Sequence, residues 1–396
     1  MSAETAPGGG PLAGYRILEM AGIGPAPFCA MMLADLGAEV VRIDRASGRT
    51  RSIEMDVARD VSARGRSSLA LDLKHPAAVS AVLHLCERAD GLIEGFRPGV
   101  MERLGLGPEQ CMAANPRLVY GRMTGWGQTG PLAQEAGHDI NYLALSGILH
   151  MLGRANERPS PPLNLVADMG GGGLMLAFGM ACALLERVRS GRGQVVDAAM
   201  VEGAALLATS VFAQKATGWW CAERGSNLLD SGAHFYEVYV TKDDKYMAVG
   251  AIEPQFYARL LQGLGLDPQA LPPQMERSAW PSMKQRFAEV FRARTRDEWT
   301  AVFAASDACA SPVLTPEEAA QHPQALARGS FRHAQGVLHP SAAPRFSRSA
   351  TGAGGAPPLP GEQSTAVLES FGFSAEEIAQ LCESGAVRQT VRRDAV

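Results

Sequence analysis

Along the first 130 or so residues, short apolar runs alternate with stretches of helical spacing. "YRILEMA" (15–21), "AEVVRID" (38–44), "SSLALDL" (67–73), "GLIEGF" (91–96) and the start of "RLVYGRMTGWG" (117–127) are apolar and bounded by Gly, Pro or charged residues. That is the pattern of short buried strands. Between them, "PFCAMMLADLG" (27–37) and "PAAVSAVLHLCERA" (76–89) carry helical spacing, the first closed by Gly37. Strand, helix, strand in this order predicts βαβ units and a parallel sheet, so the N-terminal part reads as a doubly wound α/β unit.

Beyond it, "NLVA" predicts a strand that ends at Asp168, followed by four glycines and an apolar helix to about Arg189. "QVVDAAMVEGAALLATSVFAQKA" (194–216) predicts a short strand and one long helix. In "HFYEVYVTKDDKYMAVGAIEPQFYARLLQGLGL" (234–266), two alternating runs flank "KDDK" and a helix follows. This switch to a hairpin predicts a separate α+β domain over roughly 230–315. A Gly/Pro-rich loop spans 349–365, and "SAEE" from Ser374 offers a capping box to Glu377 before a last helix. No internal repeat is visible.

A chain of 396 residues suggests two or three domains at roughly 150 residues each. The hydrophobic fraction is 46% and the charged fraction 20%, ordinary for a globular protein, and a net charge of −4 argues against a general nucleic-acid binder. Seven cysteines without a CxxC pair fit reduced thiols better than a disulfide framework or a zinc site. The opening "MSAETAPGGGPLAG" is polar, "RRDAV" at the end is not a peroxisomal address, and no apolar run is expected to span a bilayer. The expected compartment is the cytoplasm, without membrane association.

"GIGPAP" follows the first strand with Asp44 about 20 residues on, but the third glycine of a dinucleotide fingerprint is missing, and Pro25 and Pro27 remove amides. An ordinary βαβ turn is the better reading. Arg42, Arg45, Arg49, Arg51, Arg64, Arg66, Lys74, Arg97 and Arg103 fall near expected strand ends, where open α/β sheets bind ligands. Their guanidinium forks suit phosphate, and a solvated charged rim is the plainer account of most of them.

Asp168 precedes "MGGGG" and a helix. It reads as an N-cap, or as an acid held ionised beside unshielded amides and ready to act as base or nucleophile. His138 in "EAGHDINYLAL" reads as a buried, satisfied histidine or as a functional one, with Asp139 as the cap of a helix starting near Ile140. Glu253 in "VGAIEPQF" reads as an acid at a strand-to-helix junction.

"AGIGPAPFCAMMLADLGAEVVRIDR", "GFRPGVMERLGLGP", "GWGQTGP", "GHDINYLALSGIL", "PPLNLVADMGGGG", "GRGQVVDAAMVEG" and "VGAIEPQFY" resemble, in order, the family III CoA-transferase (CaiB/BaiF-type) superfamily, and within it the racemase branch. The resemblance runs from about Leu12 to Arg345 and returns weakly at the C-terminus. It implies a Rossmann-like large domain (12–200), a linker helix (201–229), a small α+β domain (230–315), a return linker (316–345) and a C-terminal segment (346–396) completing the large domain. It also implies an interlocked homodimer with active sites at the subunit interface.

The implied substrate is an acyl-CoA thioester, with no metal or redox cofactor. The implied reaction interconverts (2R)- and (2S)-2-methylacyl-CoA by 1,1-proton transfer through an enolate. By the same resemblance, His138 and Asp168 are the acid/bases, with Glu253 orienting His138. Arg45, Ala70, Leu71, Asp72, Leu73, Arg97 and Arg103 match coenzyme A contacts. Ala136, Gly137, Asp139, Ile140 and Asn141 match the loop beside the thioester. The amides around Asp168 are expected to hold the enolate oxygen. The alternative is a CoA-transferase that forms an acyl anhydride on Asp168. "PGEQST" departs from the family's "GEHT", and no function is assigned to that loop.

Overall fold

The computed structural model describes residues 9–47, 56–352 and 354–392; Arg49 and Arg51 lie outside the described residues. The chain divides into two compact units. The first comprises Met1–Ser146, Leu163–Leu207 and Pro323–Val396, and the second Gly147–Pro162 and Ala208–His322.

The first unit alternates strands and helices as the apolar rhythm predicts: β1 (Arg16–Met20), α1 (Pro25–Asp35), β2 (Glu39–Arg45), β3 (Arg66–Leu71), α2 (Pro76–Glu87), β4 (Gly91–Glu94), α3 (Val100–Arg103) and β5 (Val119–Thr124). Then come α4 (Asp139–Leu145), α5 (Met175–Ser190), β6 (Val195–Ala199) and α6 (Met200–Leu207). Among the described residues the sheet has seven strands, ordered Val387–Arg388, β3, β2, β1, β4, β5, β6. β1 to β6 run parallel, and only Val387–Arg388 pairs antiparallel, on β3. The order therefore reverses between β1 and β4. In open α/β sheets the loops at such a reversal diverge and leave a crevice at the carboxyl ends.

Leu18, Leu69, Leu92 and Tyr120, all at 0% exposure, form the centre of the core beneath the sheet. Charge also sits inside the sheet, always paired. Glu19 on β1 faces Arg66 on β3 at 2.8 Å with both side chains at 1% exposure or less, and Arg42 donates to Asp44 at 2.8 Å. Removing one partner of such a pair leaves a bare charge in low dielectric.

The region around Asp168 departs from expectation. "NLVA" is not a strand: Leu165–Leu174 is a π-helix that runs directly into α5. The reason is steric, because the four glycines let two neighbouring elements approach backbone to backbone. A Cβ on Gly171 would lie 2.6 Å from Ala204 N in α6, and one on Gly173 would lie 2.6 Å from Pro25 O in α1. Within 194–216 the expected short strand is β6, and the long helix expected after it breaks into α6 and α7 (Thr209–Ala216).

Leu165–Ser190 as a whole is 26 residues long and apolar enough by composition to cross a membrane, contrary to the expectation from the sequence. Its inner face is core, with Leu176, Met180 and Leu184 buried, while Leu174, Phe178, Leu185 and Val188 are exposed.

The second unit contains the expected hairpin, β7 (Tyr236–Val240) and β8 (Tyr246–Gly250), followed by α8 (Pro254–Leu264). A third strand, β9 (Ala310–Pro312), joins β8 antiparallel. Phe235, Phe287, Phe291 and Trp299 fill its core. Residues 147–162 group with this unit rather than with the α/β unit. Arg154 pairs with the buried Glu237 at 2.8 Å, and Arg224 donates to the His150 carbonyl at 2.8 Å and to that of Glu157.

Replacing Gly171 by Ala is expected to destabilise the first unit by about 1–3 kcal/mol, the usual cost of overpacking, because the atoms met are main chain and cannot rotate away. Thermal unfolding of the variant beside the parent measures this; an unchanged midpoint would refute the packing account of the tetraglycine.

Candidate active site

The reversal between β1 and β4 opens a cleft of about 410 Å³ in the first unit. Its walls are the turn after β1 (Ile23 to Ala26), the turn after β4 (Gly95 to Pro98), the end of β5 with Trp126, and the loop Glu135 to His138; Tyr142, Asp168 and Met200 also line it. His138 and Asp168, well separated in sequence, thus share one cavity.

His138 is the N-cap of α4, with its side chain exposed. Its own N–H donates to Asn141 Oδ1 at 3.1 Å, tying the turn. Two contacts hold the backbone before it: Tyr142 Oη donates to the Gly137 carbonyl at 2.5 Å, and the Tyr142 ring packs edge-on against Trp126 at 4.8 Å between centroids. The reading of His138 as a buried, satisfied histidine is not met.

Asp139 does not cap its helix; it is the first residue of α4 and is buried. Its Oδ1 accepts from Ala167 N–H at 2.9 Å and from Asp168 N–H at 2.7 Å. Among the described residues, its buried Oδ2 has no hydrogen-bond partner. This overturns the assignment of the amides around Asp168 to the enolate oxygen, since two of them already serve a carboxylate. Among the described residues, the amide hydrogens of Asp139 and Ile140 in the first turn of α4, which precede any intrahelical acceptor, donate to no other backbone group.

Asp168 is half-buried within the π-helix, whose N-cap is Asn164. Burial raises its carboxyl above the ordinary carboxylate range, the charge of Asp139 adds to the rise, and a hydrogen bond from Asn164 and the proximity of His138 draw it down. The Asn164 Nδ2 to Asp168 Oδ2 distance is 3.4 Å. The sequence suggested an acid kept readily ionised by a helix terminus; desolvation and a like charge outweigh that field here. Gly24, at φ +70°, brings main chain alongside: a Cβ there would be 3.7 Å from Asp168 Oδ2.

The basic residues sort by their partners. Arg42, Arg64 and Arg66 are buried and paired with Asp44, Asp35 and Glu19, so they have structural work. Arg45 ends β2 exposed, Lys74 is exposed, Arg97 is exposed and lines the cleft, and Arg103 is exposed on α3. Ala70 and Leu71 are at 1% exposure and paired with Val387–Arg388, which leaves Asp72 and Leu73 as the accessible part of that strand end. Ala136, Ile140 and Asn141 are exposed, and Gly137 partly so. Glu253 belongs to the second unit, where it N-caps α8, exposed and without a side-chain cap bond.

Sequence reasoning missed Asn164, Tyr142 and the pair of hydrogen bonds that Asp139 accepts. For the first two a signal existed: Asn164 stands four residues before Asp168 and Tyr142 four after His138, the spacing that puts side chains on one helical face.

Residues 12–364 match CoA-transferase family III. The chain is 50% identical over 372 residues to the alpha-methylacyl-CoA racemase of Mus musculus, covering 93% of this chain and 96% of that protein. To the alpha-methylacyl-CoA racemase of Homo sapiens it is 49% identical over 380 residues, with the same 93% and 96% coverage. Among solved structures, a CaiB/BaiF family protein from Brucella suis matches with a TM-score of 0.79 at 25% identity, over 92% of this chain and 100% of that one.

Asp139→Asn is expected to keep the acceptor for the two amides while removing the like charge. Asp168 then ionises at lower pH, and the acidic limb of the activity profile moves to lower pH. A pH series of initial rates checks this; a limb that stays put or moves up would rule out the charge coupling.

Proposed function

Since the chain belongs to CoA-transferase family III, we propose that it is a racemase that interconverts (2R)- and (2S)-2-methylacyl-CoA thioesters. The observation that carries the reading is the meeting of His138 and Asp168 in one cleft, in a chain half identical to racemases over nearly its whole length. Inverting the carbon beside a thioester means removing its proton on one face and returning one on the other. An imidazole and a carboxylate on opposite faces exchange the roles of base and acid with the direction of reaction. The raised Asp168 carboxyl is suited to this, because a group that must both take and give a proton works best nearer the operating pH.

In this reading the enolate oxygen lies against the amides of Asp139 and Ile140 at the start of α4, preorganised donors at the positive end of a helix. Glu253 orients His138. Arg45, Arg97 and Arg103 take the phosphates of coenzyme A; Ala70, Leu71, Asp72 and Leu73 border its adenosine, with contact from the exposed Asp72 and the partly buried Leu73. Ala136, Gly137 and Asn141 flank the thioester. The proton transfer calls on no metal or redox group. The active unit is a homodimer with its sites at the subunit interface. Two features support this: the exposed His138 needs cover from water, and the apolar stripe of Leu174 at the end of the π-helix with Phe178, Leu185 and Val188 on α5 needs a partner surface.

A CoA-transferase would use the same Asp168 as nucleophile toward the thioester carbonyl, forming an acyl anhydride. That chemistry has no evident need for His138. Turnover in deuterium oxide separates the two. The racemase exchanges the α-proton for deuterium as it scrambles configuration, whereas transfer of coenzyme A to an added carboxylic acid without α-exchange would replace this reading by the transferase. His138→Ala is expected to slow racemisation by at least about 10²-fold, the lower range for loss of a general acid/base. Full activity in a folded variant would remove His138 from the mechanism.

A further inference from the structure

β4 and β5 pair so that Glu94 stands opposite Arg122. Arg122 Nε donates to Glu94 Oε1 at 2.9 Å. The other side of the same guanidinium reaches Glu102 on α3, Nη1 to Oε1 at 2.8 Å and Nη2 to Oε2 at 3.3 Å. Glu94 is fully buried, and its second oxygen accepts the Phe96 amide at 2.7 Å. One arginine therefore grips both ends of the segment that leaves β4 and turns into α3. That segment carries Arg97 in the cleft wall and leads to Arg103. Between the two anchors, Gln134 Nε2 holds the Pro98 carbonyl at 3.1 Å. Gly99 turns at φ +80°, where a Cβ would sit 3.2 Å from Arg103 Nη1.

Phe96 packs on the core and Pro98 and Met101 are buried, whereas Gly95 and Arg97 are exposed, so the polar anchors fix the exposed part of a turn whose apolar side is already seated. We propose that Arg122 is a positioning residue for coenzyme A binding: by clamping Glu94 and Glu102 together it presets Arg97 and Arg103 toward the nucleotide end of the substrate. This rests on the reading of those two arginines as coenzyme A contacts. A preset turn loses less freedom when the ligand arrives, which strengthens binding without touching the reacting carbon. The rigid planar fork sends three donors to the two carboxylates at fixed angles, a geometry that the compact ammonium of lysine on its flexible stem does not reproduce.

The test uses the full-length enzyme and coenzyme A itself as probe, measured by equilibrium binding. It therefore stands apart from α-proton exchange, which tests the racemase reading. Arg122→Lys is expected to weaken coenzyme A about 10-fold, the scale of a lost charge-assisted hydrogen bond. KM for the acyl-CoA rises in step, while kcat stays within about twofold, as expected when binding is lost equally from ground and transition states. Turnover of an acyl-pantetheine thioester, which lacks the nucleotide, is unchanged.

Glu102→Gln is the second variant, since Glu102 is partly exposed and its loss leaves the buried Glu94 pair intact. It is expected to shift affinity in the same direction at an unchanged unfolding temperature. Parental coenzyme A affinity in both folded variants would overturn the proposal, and so would a kcat loss shared equally by the acyl-CoA and the acyl-pantetheine.

Discussion

One carboxylate links the two candidate acid/bases. His138 and Asp139 are neighbours in the chain, and Asp139 accepts the amides of Ala167 and Asp168 at 2.9 and 2.7 Å. The start of α4 is thereby tied to the π-helix, and the imidazole and the carboxylate cannot drift apart without breaking two charge-assisted bonds in a buried place. The same atom group supplies a charge that pushes Asp168 upward. Geometry and protonation of the site thus have a common origin. A residue read from the sequence as a helix cap turns out to connect two elements distant in the chain.

That tie works because the surrounding backbone comes unusually close. Gly171 lies against α6 and Gly173 against α1, leaving no room for side chains between them. Four consecutive glycines look like an anion cradle in a sequence; here they are an interface between helices. The segment that results is a π-helix, and such turns often mark functional sites. The cleft itself follows from topology. Strand order reverses between β1 and β4, and the turns that follow those two strands form facing walls.

Chemistry and cover are divided in this protein. The first unit brings His138 and Asp168 together yet leaves the histidine exposed. α5 is half core and half bare apolar surface, which a single globular unit has no reason to keep. An enolate chemistry needs exclusion of water, which the homodimer proposed above would supply.

The sequence by itself determined the local architecture. The strand–helix alternation, the hairpin around "KDDK" and the Ser374–Glu377 capping box follow from hydrogen-bonding and apolar patterns that span only a few residues. It also singled out His138 and Asp168, through motifs long enough to be matched in order. Tertiary structure alone decided that Arg64 and Arg66 are not free, because Asp35 on α1 and Glu19 on β1 take them up. It alone turned "NLVAD" from a strand into a π-helix and raised Asp168 instead of lowering it. Each of these depends on what lies across space: a glycine's opposite backbone, a buried charge's partner, the dielectric around a carboxylate. Those neighbours come from parts of the chain tens of residues away, and no local pattern records them.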